Sequence, residues 1–111
     1  MTINEYQKLA MVTANKNLSE KEMLVSGVMG LCGEAGESID IVKKHLFHGH
    51  ALNRDRLIEE IGDVAWYLAE TCTALGIDLE SVLTSNIEKL KKRYPEGFDS
   101  YRSMHREEKE L

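Results

Sequence analysis

Apolar residues recur every three or four positions along most of the chain, the period of a helix with one buried face. Leu24, Val28, Leu31, Ala35, Ile39, Val42 and Leu46 form one stripe, and Leu57, Ile61, Val64, Leu68, Cys72 and Leu75 a second. Shorter stripes run through Tyr6, Leu9, Ala10 and Thr13, and through Val82, Leu83, Ile87 and Leu90. Start and stop signals bracket them. Thr2-Ile3-Asn4-Glu5 and Ser19-Glu20-Lys21-Glu22 read as capping boxes, a hydroxyl residue with Glu three later. Asn53 or Asp55 can cap a third helix and Asp78 a fourth. Gly49, Gly76, and Pro95 with Gly97 are stop signals. The pattern predicts helices from Thr2 to about Asn15, from Glu20 to Phe47, from the caps at Asn53 or Asp55 to Leu75, and from Asp78 to Arg93. No strand pattern, repeat or low-complexity segment competes. The expected fold is all-α, a bundle-like domain of four to five helices over residues 1–98. A charged tail, 99–111, follows as a short exposed helix or a disordered end.

The second predicted helix carries Gly27, Gly30, Gly33 and Gly36. Each costs about 1 kcal/mol against alanine in a helix interior. Their spacing implies that something approaches the backbone closely, a neighbouring helix or a ligand. A kink or break at this place is the alternative.

Two acidic signatures lie on the two long helices, Gly33-Glu34-Ala35-Gly36-Glu37 and Glu60-Ile61-Gly62-Asp63. Residues three apart on a helix point to nearly the same side. By helical-wheel geometry both pairs lie at the border of the apolar stripe, where a cleft between packed helices places its functional groups. Packed side by side, the helices would gather Glu34, Glu37, Glu60 and Asp63 into one patch. Such anions repel, and a divalent cation relieves the repulsion. All-carboxylate ligation suits Mg²⁺ or Mn²⁺ rather than zinc. A single pair of this kind is common on solvated helix faces, and Lys43 and Lys44 offer salt bridges as another partner. Neither pair has the Glu-x-x-His form of a di-iron bundle, and His45, His48 and His50 read as helix-end and loop residues.

Composition narrows the classes. The chain has 111 residues and a formal net charge of −5, one compact domain without the basic surface that polymeric nucleic acid requires. It has no apolar run of membrane-spanning length and no signal-peptide core. Cys32 and Cys72 fall inside helical patterns and read as reduced packing residues of a cytoplasmic protein. A small phosphate ligand held through a metal remains compatible with the negative charge. No Walker-type glycine loop is present, so phosphates must be met by metal and side-chain cations. Asn86, Lys89, Arg93 and Tyr94 share one face of the fourth helix and offer an amide, an ammonium and a guanidinium. The same face reads equally as a solvated polar surface.

Three stretches then combine. Gly30-Leu31-x-x-Glu34-x-Gly36-Glu37, Glu59-Glu60-Ile61-Gly62-Asp63-Val64-x-Trp66-Tyr67-Leu68, and Asn86-Ile87-x-Lys89-Leu90 with Arg93-Tyr94-Pro95 and Gly97-Phe98 resemble the MazG-type nucleoside triphosphate pyrophosphohydrolases of the all-α NTP pyrophosphatase superfamily. The resemblance runs from about Tyr6 to Phe98. It implies a helical fold whose protomers associate as dimers or dimers of dimers. It implies cleavage of an NTP or dNTP between the α and β phosphates, with Mg²⁺ (or Mn²⁺) on Glu34, Glu37, Glu60 and Asp63. These carboxylates are the expected catalytic set. Asn86, Lys89 and Arg93, with Lys44 and Trp66, are the expected substrate-binding residues. Trp66 reads either as a base-stacking ring or as a packing residue. Many members of the family read Glu-Glu-x-x-Glu at the first motif, and this chain has Gly33 at the leading position, which leaves the general base open.

Two other functions remain compatible. One is a helical module that binds nucleotide or oligomerises without cleaving. The other is a superfamily enzyme acting on a nucleoside diphosphate or a phosphoribosyl-nucleotide. Val25, Met29 and Trp66, off the main stripes, add apolar surface that a small monomer covers poorly, so a homodimer or homotetramer is expected.

Overall fold

In a computed structural model residues 1–106 are described, and they form five α-helices and no strand. They are α1 (Ile3–Met11), α2 (Glu20–Phe47), α3 (Arg54–Ala74), α4 (Leu79–Arg93) and α5 (Ser100–Met104). The capping signals act as their chemistry dictates. Thr2 Oγ1 accepts from the Glu5 amide at 3.0 Å. Ser19 and Glu22 close a reciprocal capping box, at 3.1 and 3.0 Å. Asn53 Oδ1 accepts from the Arg56 amide at 3.2 Å and starts α3. Gly49 and Gly76 have φ of +75° and +71°, the left-handed turn that glycine adopts without strain. Helix α1 ends sooner than its pattern suggested. The amides of Val12, Thr13 and Ala14 bond three residues back, to Leu9, Ala10 and Met11, and this tightening ends the helix.

The chain divides into two compact units, Met1–Leu79 and Glu80–Leu111. In the first, α2 and α3 form the main packed pair and α1 lies on α3. Helix α2 is continuous through all four glycines. A Cβ on Gly27 would collide with the Thr71 side chain and come within 3.1 Å of its backbone. One on Gly30 would run into the Tyr67 ring. The less exposed positions of α2 are Met23, Leu24, Ser26, Gly27, Gly30, Leu31, Glu34, Ser38, Asp40, Ile41 and Val42, with Gly27 the most deeply covered. The predicted stripe holds only in part as the core face: Leu24, Leu31 and Val42 are half-buried, whereas Val28, Ile39 and Leu46 are 46%, 64% and 64% exposed. Bulky side chains hold helices apart, whereas glycines let α3 settle onto the backbone of α2, so the small residues set the contact line.

Helix α1 is fastened by polar side chains. Trp66 Nε1 donates to the Ala10 carbonyl and to Thr13 Oγ1, both at 2.9 Å. Gln7 donates to Thr73 Oγ1 and the Ile77 carbonyl, both at 3.1 Å, and accepts from the Leu79 amide at 2.7 Å. The buried apolar residues among those described are Ala10, Ala14, Ala69, Cys72 and Leu79, all but Leu79 small. Glu70 on α3 is also buried, and its Oε1 has no hydrogen-bond partner among the described residues.

The second unit holds α4 and α5. Helix α4 closes with the Tyr94 amide on the Leu90 carbonyl at 2.8 Å, and Gly97 turns the chain with φ of +99°. Val82, Leu83, Ile87 and Leu90, expected to face inward, are exposed. Asp99 caps α5, its Oδ1 accepting from the Arg102 amide at 3.2 Å. The tail thus includes a short helix, and its expected charged end, Glu107 to Glu110, lies outside the described residues.

Candidate functional site

The packing of α3 on α2 brings three of the sequence-predicted acids together. Carboxylate oxygens of Glu34, Glu37 and Glu60 lie within 4.8 Å of one another. Glu37 is exposed, Glu34 half-buried and Glu60 buried, so Glu60 goes deeper than its border position on the wheel. Its Oε2 is buried with no hydrogen-bond partner among the described residues. The Glu60 carboxyl is held above the ordinary glutamate range. The main cause is its hydrogen bonding with Glu34, followed by burial; hydrogen bonding with Glu37 acts against them, and the charges of Glu34 and Asp63 add to the rise. A buried carboxylate that resists ionising among other carboxylates is one that added positive charge would relieve. Three hard oxygen donors at this separation fit a Mg²⁺ or Mn²⁺ ion, which completes its shell with water or phosphate. Asp63 is exposed and stands outside the converging trio.

Arg56, one turn before Glu60, supplies the nearest cation. Its Nε is 3.8 Å from Glu60 Oε1 and its Nη2 3.9 Å from Glu37 Oε2. These distances exceed a charge-assisted hydrogen bond. With an exposed guanidinium they contribute about 0–1 kcal/mol. Sequence reading passed over Arg56. The signal was an Arg four residues ahead of Glu60 on one helix face.

A cavity of about 470 Å³ opens beside Glu37. Its α2 wall includes Gly33, Gly36, Asp40 and Lys44, and its other wall His50, Asn53 and Arg56. Lys44 pairs with Asp40 at 3.1 Å, and Lys43 reaches the same carboxylate at 3.6 Å. The lysines therefore serve Asp40 rather than Glu34 or Glu37. Lys44's hydrogen bond holds the Asp40 carboxyl below the usual carboxylate range.

Trp66, expected near the substrate, has its N–H engaged by α1 and meets Tyr67 edge-on at 5.1 Å. Asn86, Lys89 and Arg93 belong to α4 in the second unit. There Arg93 lines a cavity of about 350 Å³ together with Lys92, Arg102 and Arg106. Cys32 and Cys72 are free thiols, and no described helix is long and apolar enough to cross a membrane.

The protein named "Gene 37 protein" of Mycobacterium phage L5 is 42% identical over 73 residues, which covers 62% of this chain and 64% of the phage protein. The chain thus spans less than two thirds of that relative's length. No solved structure matches it. The family model described as the MazG nucleotide pyrophosphohydrolase domain matches residues 25–98, a span that contains all three converging carboxylates and α4. The chain belongs to the MazG nucleotide pyrophosphohydrolase domain family.

Proposed function

We propose that the chain hydrolyses a nucleoside or deoxynucleoside triphosphate between its α and β phosphates, releasing the monophosphate and pyrophosphate. The observation that carries this reading is the convergence of Glu34, Glu37 and Glu60 around the buried, unpartnered Oε2 of Glu60. These three residues hold Mg²⁺, or Mn²⁺ in its place, with Asp63 as the fourth carboxylate. The bound ion supplies positive charge to the phosphate oxygens and acidity to water. Glu60, buried on α3, anchors the trio. Glu34, half-buried beside Glu60, is the group placed to take a proton from attacking water in the absence of a carboxylate at position 33. Lys89 and Arg93 stabilise the leaving pyrophosphate or orient the phosphates, Asn86 bonds to sugar or phosphate oxygens, and Lys44 on α2 is a further substrate-binding residue. Trp66 serves the α1–α3 contact first, and base stacking is left to its ring face.

The test is pyrophosphate release from a panel of NTPs and dNTPs with Mg²⁺ and with EDTA. Metal-dependent pyrophosphate with the monophosphate is expected. Release from a nucleoside diphosphate or a phosphoribosyl-nucleotide instead would assign the chain another substrate in the superfamily. Nucleotide binding without cleavage would favour a binding module, the reading that Gly33 supports.

We also propose that the protein works as a homodimer or homotetramer. Val28, Met29, Ile39 and Leu46 on α2, with Ile58 and Ile61 on α3, are exposed in the single chain. Apolar surface of this extent is characteristic of a subunit contact. Light scattering at micromolar concentration is expected to give a multiple of 12.6 kDa, and a monomeric mass would sink the idea.

A further inference from the structure

The cavity beside the carboxylates has a wall that helix packing does not explain. Gly33 and Gly36 both line it, and a Cβ built on either meets nothing within 4 Å. A glycine weakens a helix interior relative to alanine. At Gly27 and Gly30 the approach of α3 accounts for that weakness. At Gly33 and Gly36 no neighbouring atom does, and both face the open space of the cavity.

The facing wall is held in place by its own hydrogen bonds. The amides of His48 and His50 donate to the Lys44 carbonyl at 3.1 and 3.2 Å. His45 Nδ1 donates to the His50 carbonyl at 2.8 Å. The cavity is therefore formed before any ligand arrives. Asp40 and Lys44 satisfy each other's charge within it. Arg56 stands between the cavity and the carboxylates, beyond hydrogen-bond distance of both Glu37 and Glu60. Its fork of donors can turn to an anion in the cavity. A divalent ion on the three glutamates would take over the charges that Arg56 balances, leaving the guanidinium uncompensated on the cavity side.

We propose that this cavity seats the outer phosphates of a polyphosphate ligand, with Arg56 as the cation that meets them and Gly33 and Gly36 small so that the chain of phosphates has room. As an assignment of the substrate's tail it rests on the nucleotide hydrolase reading above.

The probe is inorganic tripolyphosphate with Mg²⁺, followed by calorimetry on the whole chain. A Mn²⁺ titration followed by electron paramagnetic resonance reports the carboxylates separately. The wild type is expected to bind tripolyphosphate. Arg56→Ala is expected to weaken that binding about tenfold, the loss of one charged hydrogen-bonding group, and Arg56→Lys to recover part of it. Gly36→Leu, which fills the cavity, is expected to weaken it by a similar factor. Both leave Mn²⁺ affinity the same or tighter. Gly36→Ala keeps or raises Tm and weakens tripolyphosphate less than Gly36→Leu, which guards against a folding failure of the larger side chain. Tripolyphosphate that does not bind the wild type, or that binds Arg56→Ala and Gly36→Leu as it binds the wild type, overturns the proposal. Tripolyphosphate bound through Arg56 with no nucleotide cleaved supports the anion cavity and removes the hydrolase reading.

Discussion

The two halves of α2 use the same residue for opposite ends. At Gly27 and Gly30 the missing Cβ is replaced by another helix, with Thr71 and Tyr67 pressed onto the backbone. At Gly33 and Gly36, one and two turns further on, the missing Cβ is replaced by open space next to a carboxylate trio. The spacing of three residues is identical in both halves, so sequence periodicity gives them one meaning. The packing of α3 gives them two. In the first half glycine is a device for close helix contact; in the second it leaves room for a ligand.

The largest effect expected from separating the halves is on turnover. Glu60→Gln keeps the shape of the buried side chain and removes its charge. It should cut metal-dependent pyrophosphate release by about a thousandfold, the loss of several kcal/mol of charge stabilisation, with Tm unchanged or higher. An active Glu60→Gln protein would put the chemistry elsewhere and dissolve the distinction.

Stability comes next. Gly30→Ala forces the Tyr67 ring aside and should destabilise the fold by about 1–3 kcal/mol, with activity per folded molecule unchanged. Gly33→Ala should do the reverse, stabilising by up to about 1 kcal/mol because its Cβ meets nothing and alanine is the better helix former. Denaturant midpoints measure both. Equal effects at the two positions would mean that the halves do not differ.

Much of this was legible in the sequence, and the illegible part has a physical reason. Helix starts are local chemistry, so Thr2, Ser19 and Asn53 could be read directly as caps. The face each helix turns to its neighbour is not local. The stripe through Val28, Ile39 and Leu46 looked like a core, but the glycine line beside it lets α3 come closer, and close approach decides which face is buried. The acids stood out because ligand chemistry restricts residue type, and three of the four converge. Their depth was missed, since burial of Glu60 depends on how closely two helices meet. Arg56 was missed because an Arg ahead of a Glu on one helix reads as an ordinary surface pair. Glu70 left no signal at all. A glutamate inside an amphipathic pattern is assigned to solvent unless the structure places it otherwise.

The smallest effect tests the electrostatics of the second half alone. Glu60 has its carboxyl pKa raised in the folded chain, chiefly by the hydrogen bond with Glu34. Its favourable contribution is therefore complete below the unfolded glutamate value, about 4.3, and is lost as pH rises through the higher folded value. Other groups oppose this in acid. Glu22, lowered by its hydrogen bonds with Ser19, and Asp40, lowered by Lys44, contribute stability that is lost as pH falls. The raw stability profile mixes the two, and comparison with Glu60→Gln separates them, because glutamine cannot ionise. The Tm of Glu60→Gln minus that of the wild type should grow as pH rises from 4 towards 7, in metal-free buffer. Saturating Mg²⁺ should shrink or reverse the difference at neutral pH, since the ion binds the ionised trio and stabilises only the folded wild type. A difference that stays flat with pH would mean that Glu60 feels no strain from its neighbours. A difference that grows with pH but ignores Mg²⁺ would mean that the strain is real and that a divalent ion does not relieve it.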